Sequence, residues 1–277
     1  MLCLLKRMQR YNLFLIWQTF SDFFYSFVSE KIFLAVMIEK FDGIVLRTLK
    51  YSDSLIVVDI YTRQHGRLSF LAPASRSKRS KVHSVLFQPL SMLSFTASYK
   101  RGRNLSRISD VQPYAMYSSI PFNIVKSSIA LFVAEVLTYA LREEEENKAV
   151  YDFLDSSFVL FDTLESGYAD FHIIFLSQLL RYIGIFPNIE DYSPGAYFDM
   201  LQGCVVREQP LHTHFLMPGE AGFFVDLLST EYETMHSLSL NREMRGCYLA
   251  FLTEYYRLHI PDFPKPKSLD ILKELFS

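Results

Sequence analysis

Near Pro113 the repeat of apolar residues changes, and no other feature of this 277-residue chain constrains its fold as strongly. Before that point apolar residues recur at every second position: Ile44 and Leu46, then Ile56, Val58 and Ile60, then Leu68, Phe70 and Ala72, then Leu93, Phe95, Ala97 and Tyr99. A period of two puts one set of side chains on one face of a pleated strand. His65-Gly66 and Arg101-Gly102 supply hairpin turns, and Asn104 to Val111 makes a fifth strand. Five short strands in this space suit an OB-type barrel, and an SH3-like barrel would read almost the same.

Beyond Pro113 the period becomes helical. Ile129, Phe132, Val136 and Ala140 share one face, with Pro121 near the start and the Glu143 to Glu146 run after the end. Asn147 caps a second helix carrying Val150, Leu154, Phe158 and Phe161 and ending at Gly167. A third runs from about Ala169 to Ile183 before Gly184 and Pro187. Pro187 to Glu220 reads as irregular, with Pro194-Gly195, Gly203, Pro210 and Pro218-Gly219 as breakers. A further helix follows from about Asn241 to His259, and a proline-rich link leads to a short terminal helix with Leu269, Leu272 and Phe276. The expected fold is therefore α+β: an N-terminal five-stranded OB-type barrel over residues 37–115, then a helical bundle over 116–277 with an irregular insertion at about 187–220.

The overall charge of -2 conceals a division along the chain. Met37 to Ala115 holds thirteen Lys+Arg against five Asp+Glu, whereas Met116 to Ser277 holds eleven against twenty-three. A surplus of eight positive charges beside a deficit of twelve points to a polyanion-facing half and a separate acidic half. Residues 1–36 are apolar and aromatic, but Asn12, Gln18 and Asp22 interrupt them before the roughly 20 residues a membrane helix needs. A signal peptide built on Lys6, Arg7 and Arg10 would need a small-x-small cleavage site that does not follow cleanly. The adopted reading is an upstream extension, with the folded protein beginning at Met37. Cys3, Cys204 and Cys247 are odd in number and far apart, which gives neither a disulfide framework nor a zinc site and fits a reducing cytoplasm.

The densest local signal is Ser75 to Lys81, in which Arg76, Lys78, Arg79 and Lys81 alternate with small hydroxyls. Such a run either is solvated or lies against phosphate. A second group, Lys100, Arg101, Arg103 and Arg107, falls at the next hairpin of the same barrel and points to an electrostatic groove for nucleic-acid backbone. Tyr99 and Phe70 are candidates to stack bases, against the commoner use of such residues as core. Catalytic signatures are missing: there is no P-loop, dinucleotide glycine fingerprint, nucleophile elbow or HExxH. His212, His214 and Cys204 are too few and too loosely spaced for a closed zinc site, and Glu143 to Glu146 points its carboxylates in different directions. No cofactor, metal or catalytic residue is expected.

The runs Phe41-Asp42-Gly43-Ile44-Val45-Leu46, Tyr51-Ser52-Asp53-Ser54, Val58-Asp59-Ile60-Tyr61-Thr62, Ala72-Pro73-Ala74-Ser75-Arg76 and Leu86-Phe87-Gln88-Pro89-Leu90 resemble, in order and spacing, the opening of RecO proteins. Leu180 to Pro187 is similar to that family's central region, and the resemblance runs from Met37 to roughly Pro264. It implies an OB domain and a helical domain in a non-enzymatic DNA repair and recombination mediator. Such a protein binds single- and double-stranded DNA, anneals complementary strands and helps load RecA on DNA coated with single-stranded DNA-binding protein (SSB). The implied partners are RecR, the C-terminal tail of SSB and, in some members, RecF. Many members carry a four-cysteine zinc module after the Gly-x-x-Pro segment, where this chain keeps only Cys204. An SSB tail is acidic and ends in an apolar Phe, so it needs an apolar pocket beside cations. Lys126, Arg142, Arg181, Arg242 and Arg245 are the helix-borne candidates, with Arg142 and Arg181 foremost because each ends an apolar helix. The rival reading is a protein-interaction adaptor whose barrel recognises an acidic tail; a nuclease or deaminase lacks its ligand constellation.

Overall fold

Alternation in the first half closes into a barrel because each strand has one apolar set to bury and no strand is left without two neighbours. The computed structural model describes residues 38–74, 84–99, 105–238 and 240–275. Strands β1 (Ile38–Lys50), β2 (Leu55–Thr62), β3 (Gly66–Pro73), β4 (Met92–Ser98) and β5 (Ser106–Pro113) form a closed barrel in the order β1-β2-β3-β5-β4. Its interior holds Phe41, Val58, Ile60, Phe70, Ala72, Phe95 and Ile108, with Phe41 stacked on Phe95 at 5.3 Å and Phe70 edge-on to Phe95 at 5.0 Å. The fifth strand starts two residues later than the sequence pattern suggests. The Arg101-Gly102 turn lies outside the described residues, as do residues 1–37.

Six helices follow among the described residues: α1 (Ile124–Ala140), α2 (Lys148–Thr163), α3 (Phe171–Tyr182), α4 (Pro218–Leu228), α5 (Arg242–His259) and α6 (Ser268–Leu275). Asn123, Asn147 and Asn241 cap α1, α2 and α5 with side-chain carbonyls that accept orphan backbone N–H bonds. Two expectations need correction. Helix α2 stops at Thr163 rather than Gly167, which instead adopts φ +71° at the head of a short 3-10 turn leading into α3. The stretch expected to be irregular contains a three-stranded sheet, β6 (Tyr197–Asp199) between β7 (Cys204–Val206) and β8 (Phe215–Leu216). It also opens α4: Pro218 occupies a first-turn position where no N–H is needed, and the Glu220 carboxylate accepts from the Met217 N–H at 3.0 Å. A Pro-Gly pair that looks like a breaker is here a helix start.

The barrel and helices share one core. Ile44, Leu46, Tyr61, Leu90 and Met92 pack in the same buried cluster as Phe132, Leu137, Tyr151, Leu154 and Phe175. The β2–β3 turn approaches the helices so closely that a Cβ at Gly66, whose φ is +64°, would stand 2.5 Å from the carbonyl oxygens of Glu143 and Glu145. Glycine is required there on both counts. The Glu143 to Glu146 run is thus a loop laid against the barrel. The chain passes from β5 to α1 through residues 114–123, and Asp162 of α2 fixes that passage: its carboxylate accepts from the backbone N–H groups of Ser118, Ser119 and Ile120 at 2.7–2.9 Å and from the Ser118 hydroxyl at 2.8 Å. Lys126 is buried beside it, donating to Ser119 Oγ at 2.6 Å and to the Asp162 carbonyl at 2.9 Å.

Burial pushes the Asp162 pKa up, but the backbone amides of Ser118, Ile120 and Ser119 and the Ser118 hydroxyl outweigh it and bring it down to about 2. A folded value below the unfolded one, near 3.8, gives stability that is present above pH 4 and lost as pH falls through about 2. Asp162→Asn should therefore cost about 1–3 kcal/mol at pH 7, the range for a buried hydrogen-bonded group left poorly matched. Denaturant melts of both proteins from pH 7 to pH 2 should show the gap closing toward the acid end; a gap independent of pH would contradict this role.

Candidate nucleic-acid interface

An OB barrel buries one set of alternate residues and turns the other outward, so its surface chemistry can be read from strand register. The outward set on β1, β2, β3 and β5 forms transverse rows. Arg47, Asp59 and Ser69 make one row; Leu49, Val57, Leu71 and Arg107 make the next; Leu55 and Pro73 begin a third. Four strands at roughly 4.8 Å spacing make the middle row about 14 Å wide. Tyr61 and Arg67, on the opposite side of the Asp59 row, face the helices.

Asp59 is almost fully buried at the centre of this face. Its carboxylate accepts from Arg47 Nε at 2.6 Å, Arg67 Nη2 at 2.8 Å and Ser69 Oγ at 2.5 Å. Burial raises its pKa, and the Ser69 hydroxyl and the two guanidinium groups more than reverse that, holding it below the usual carboxylate value. Two cations around one carboxylate leave the Arg47–Asp59–Arg67 group with one positive charge in excess. Arg67 also donates through Nη1 to the Thr138 carbonyl of α1 at 2.6 Å. Arg63 bonds Asp152 of α2 at 2.8 Å and covers the Tyr151 ring at 4.4 Å, and Lys50 pairs with Asp53 at 2.9 Å.

This engagement localises the surplus charge. The described part of the barrel holds six cations, Lys40, Arg47, Lys50, Arg63, Arg67 and Arg107, against five carboxylates. The other seven cations, Arg76, Lys78, Arg79, Lys81, Lys100, Arg101 and Arg103, belong to the β3–β4 and β4–β5 connections and lie outside the described residues. The strand leading into the first connection and the strand arriving from the second are neighbours, paired in parallel at Leu71 and Arg107. Arg107, the one sequence-identified DNA candidate that is described, is exposed on the outward face. Phe70 is core and not a surface stacking group, while Tyr99 is half-buried. Tyr51, which sequence analysis passed over, is 62% exposed at the end of β1, and the alternation Arg47, Leu49, Tyr51 carries the signal that would have found it.

The helix-borne cations have separate settings. Arg142 donates to the Tyr139 carbonyl at 3.0 Å and the Asp262 carbonyl at 2.9 Å, on the rim of a cavity of about 440 Å³ whose apolar wall includes Leu141, Val150, Ile183 and Ile260 and which Glu143 and Glu145 also line. Arg181 donates to the Leu228 carbonyl at 3.0 Å and stacks 3.9 Å over Phe186. Arg245 pairs with Asp170 at 2.6 Å, Lys126 is buried, and Arg242 is exposed. Among the described residues no helix is long and apolar enough to cross a membrane.

The chain matches two family models, Recombination protein O N terminal over residues 37–117 and Recombination protein O C terminal over residues 121–269. It is 46% identical to the DNA repair protein RecO of Bacteroides fragilis over 241 residues, 87% of this chain and 100% of that one. It is 47% identical to the RecO of Phocaeicola vulgatus over the same shares and 32% identical to that of Flavobacterium psychrophilum over 86% of this chain and 99% of that one.

In the segment where many RecO proteins were expected to carry zinc, histidine contacts tie the chain together. His212 Nε2 lies 3.1 Å from Asp199 Oδ2, His214 Nδ1 lies 3.2 Å from Glu254 Oε1, and His259 Nε2 lies 2.7 Å from the Met200 carbonyl. Cys204 pairs with Asp199 across β6 and β7, and burial pushes its thiol pKa up. Among the described residues no group of three His, Cys, Asp or Glu side chains is arranged to hold a metal ion. Elemental analysis of purified protein should find no stoichiometric zinc, and the melting temperature should be unchanged in chelator. One zinc per chain, lost together with cooperative folding, would reverse this assignment.

Proposed function

The chain belongs to the RecO family of DNA repair proteins, and on that premise we propose that it acts as a recombination mediator that makes and breaks no bond. It binds single- and double-stranded DNA through the barrel, anneals complementary strands and helps load RecA on DNA coated with SSB. The observation that carries this reading is the placement of charge: seven of the barrel's thirteen cations belong in sequence to the two connections that leave β3 and enter β5, strands that pair at Leu71 and the exposed Arg107, while Arg47, Arg63 and Arg67 bond carboxylates of the described residues. Backbone binding without sequence reading is the accompanying proposal, since among the described residues the barrel carries no α-helix to place in a groove. RecR and, in some settings, RecF are the proposed protein partners, in the cytoplasm.

Replacing Arg76, Lys78, Arg79 and Lys81 together by Ala should weaken binding to both DNA forms without changing the melting temperature. Losing about four phosphate contacts lowers the log-log salt slope for duplex by roughly three to four units. Unchanged affinity and slope would remove these residues from the interface, and no binding by the wild type at low salt would favour an adaptor that recognises an acidic protein tail.

We place the SSB tail at the cavity beside Arg142, because an acidic peptide ending in Phe needs an apolar pocket with a cation at its rim, and Arg142 borders such a cavity. Arg181 is the second candidate, although its stacking on Phe186 and its bond to the end of α4 give it a structural use. A fluorescent tail peptide titrated into Arg142→Glu should bind at least tenfold more weakly than into wild type, about 1.4 kcal/mol. Arg181→Glu serves as the comparison, and thermal melts check that both fold. No saturable wild-type complex at low salt would defeat tail binding itself.

A further inference from the structure

The outward barrel face carries more apolar surface than its packing against the helices uses. Tyr51 is 62% exposed and Leu49 is 47% exposed, and both alternate onto the face that bears Arg47. Leu49 pairs with Val57 and Val57 with Leu71, so three apolar side chains lead in a row to Arg107. Tyr51 stands at the edge of this row: its N–H and that of Ser52 donate to the Leu55 carbonyl at 3.1 and 3.0 Å, which fixes the turn that carries the ring. On the side toward the helices the row is bordered by the Arg47–Asp59–Arg67 group with its one excess positive charge.

An aromatic ring and an aliphatic strip between cations present the two chemistries of an unpaired strand, base faces and phosphates, at neighbouring places. In a duplex the base faces are stacked on each other and only phosphates and groove edges are offered. Building on the reading of this barrel as a nucleic-acid binder, we propose that Tyr51, with Leu49, Val57 and Leu71 beside it, is a platform on which unpaired bases rest. Single strands are then held by stacking and phosphate contact, duplex by phosphate contact alone. The charge bordering the strip selects the occupant: a polyanion with exposed flat apolar groups matches it.

The test uses the full chain, with Tyr51→Ala and Tyr51→Phe, and three probes: a 20-mer of thymidine, the same length of abasic backbone, and a 20-base-pair duplex. Tyr51→Ala should weaken the thymidine strand about tenfold, which is within the range for one base stacked on an aromatic ring, while changing duplex and abasic affinities less than twofold. Its salt slope should match wild type because no phosphate contact is lost, and Tyr51→Phe should bind within twofold of wild type. Melting temperature is expected to hold, since the ring lies on the surface. Equal losses on all three probes, a full loss in Tyr51→Phe, or no loss on the thymidine strand would each overturn the platform while leaving DNA binding by the barrel intact. Failure of the wild type to bind any probe at low salt would overturn both.

Discussion

One guanidinium group decides which part of the barrel can meet a ligand. Arg67 reaches Asp59 with one nitrogen and the Thr138 carbonyl with another, while its backbone N–H donates to the Glu143 carbonyl at 3.0 Å. A buried carboxylate without such partners would be costly, and two charge-assisted bonds plus a hydroxyl make it tolerable. With Gly66 permitting close approach, these contacts seat the lower half of the outward face, including Ile44, Leu46 and Tyr61, against α1 and α2. The upper half, with Leu49, Tyr51, Leu71 and Arg107, is what remains for function.

Charge follows the same division. Arg63 and Arg67 near the seam bond Asp152 and the Thr138 carbonyl and so fasten barrel to helices, while Arg47 and Arg67 share the one carboxylate of Asp59 and leave a single excess positive charge there. In sequence the two strand connections hold seven more cations, and the helical half carries a net negative charge, the asymmetry on which the proposed polyanion binding rests. The Asp162 cluster and buried Lys126 act similarly at the chain passage. Burial lowers the Lys126 pKa against the opposing influence of Asp162 and Tyr168, and the ammonium keeps two oxygen acceptors as well as the faces of Phe161 and Tyr168. Ionised groups are placed where they fix geometry, each with its partners at hand.

Helix identity was legible wherever periodicity and caps agreed. The Asn147 cap is read directly from sequence, and the helix start near Asn241 is too, because a short side-chain carbonyl before an apolar run can accept the first orphan N–H groups. Helix α4 and the β6–β7–β8 sheet were not, because their strands are two or three residues long and Pro218-Gly219 carries the same letters whether it ends a helix or begins one. Only packing of Phe198, Phe224 and Tyr255 against one another distinguishes the cases.

The sequence by itself determined the barrel, the helical half, the concentration of cations in two strand connections and the family, since all of these rest on local spacing and on order along the chain. Tertiary structure decided how far each aromatic allowed by strand alternation is buried. Phe70 and Tyr51 are both aromatic, but closure of the barrel turns one inward to Phe95 and leaves the other at the rim. It also decided which cations are spent, because Arg63 and Arg67 meet acceptors 89 and 71 residues away, and such pairings depend on how two halves dock and not on any pattern within either.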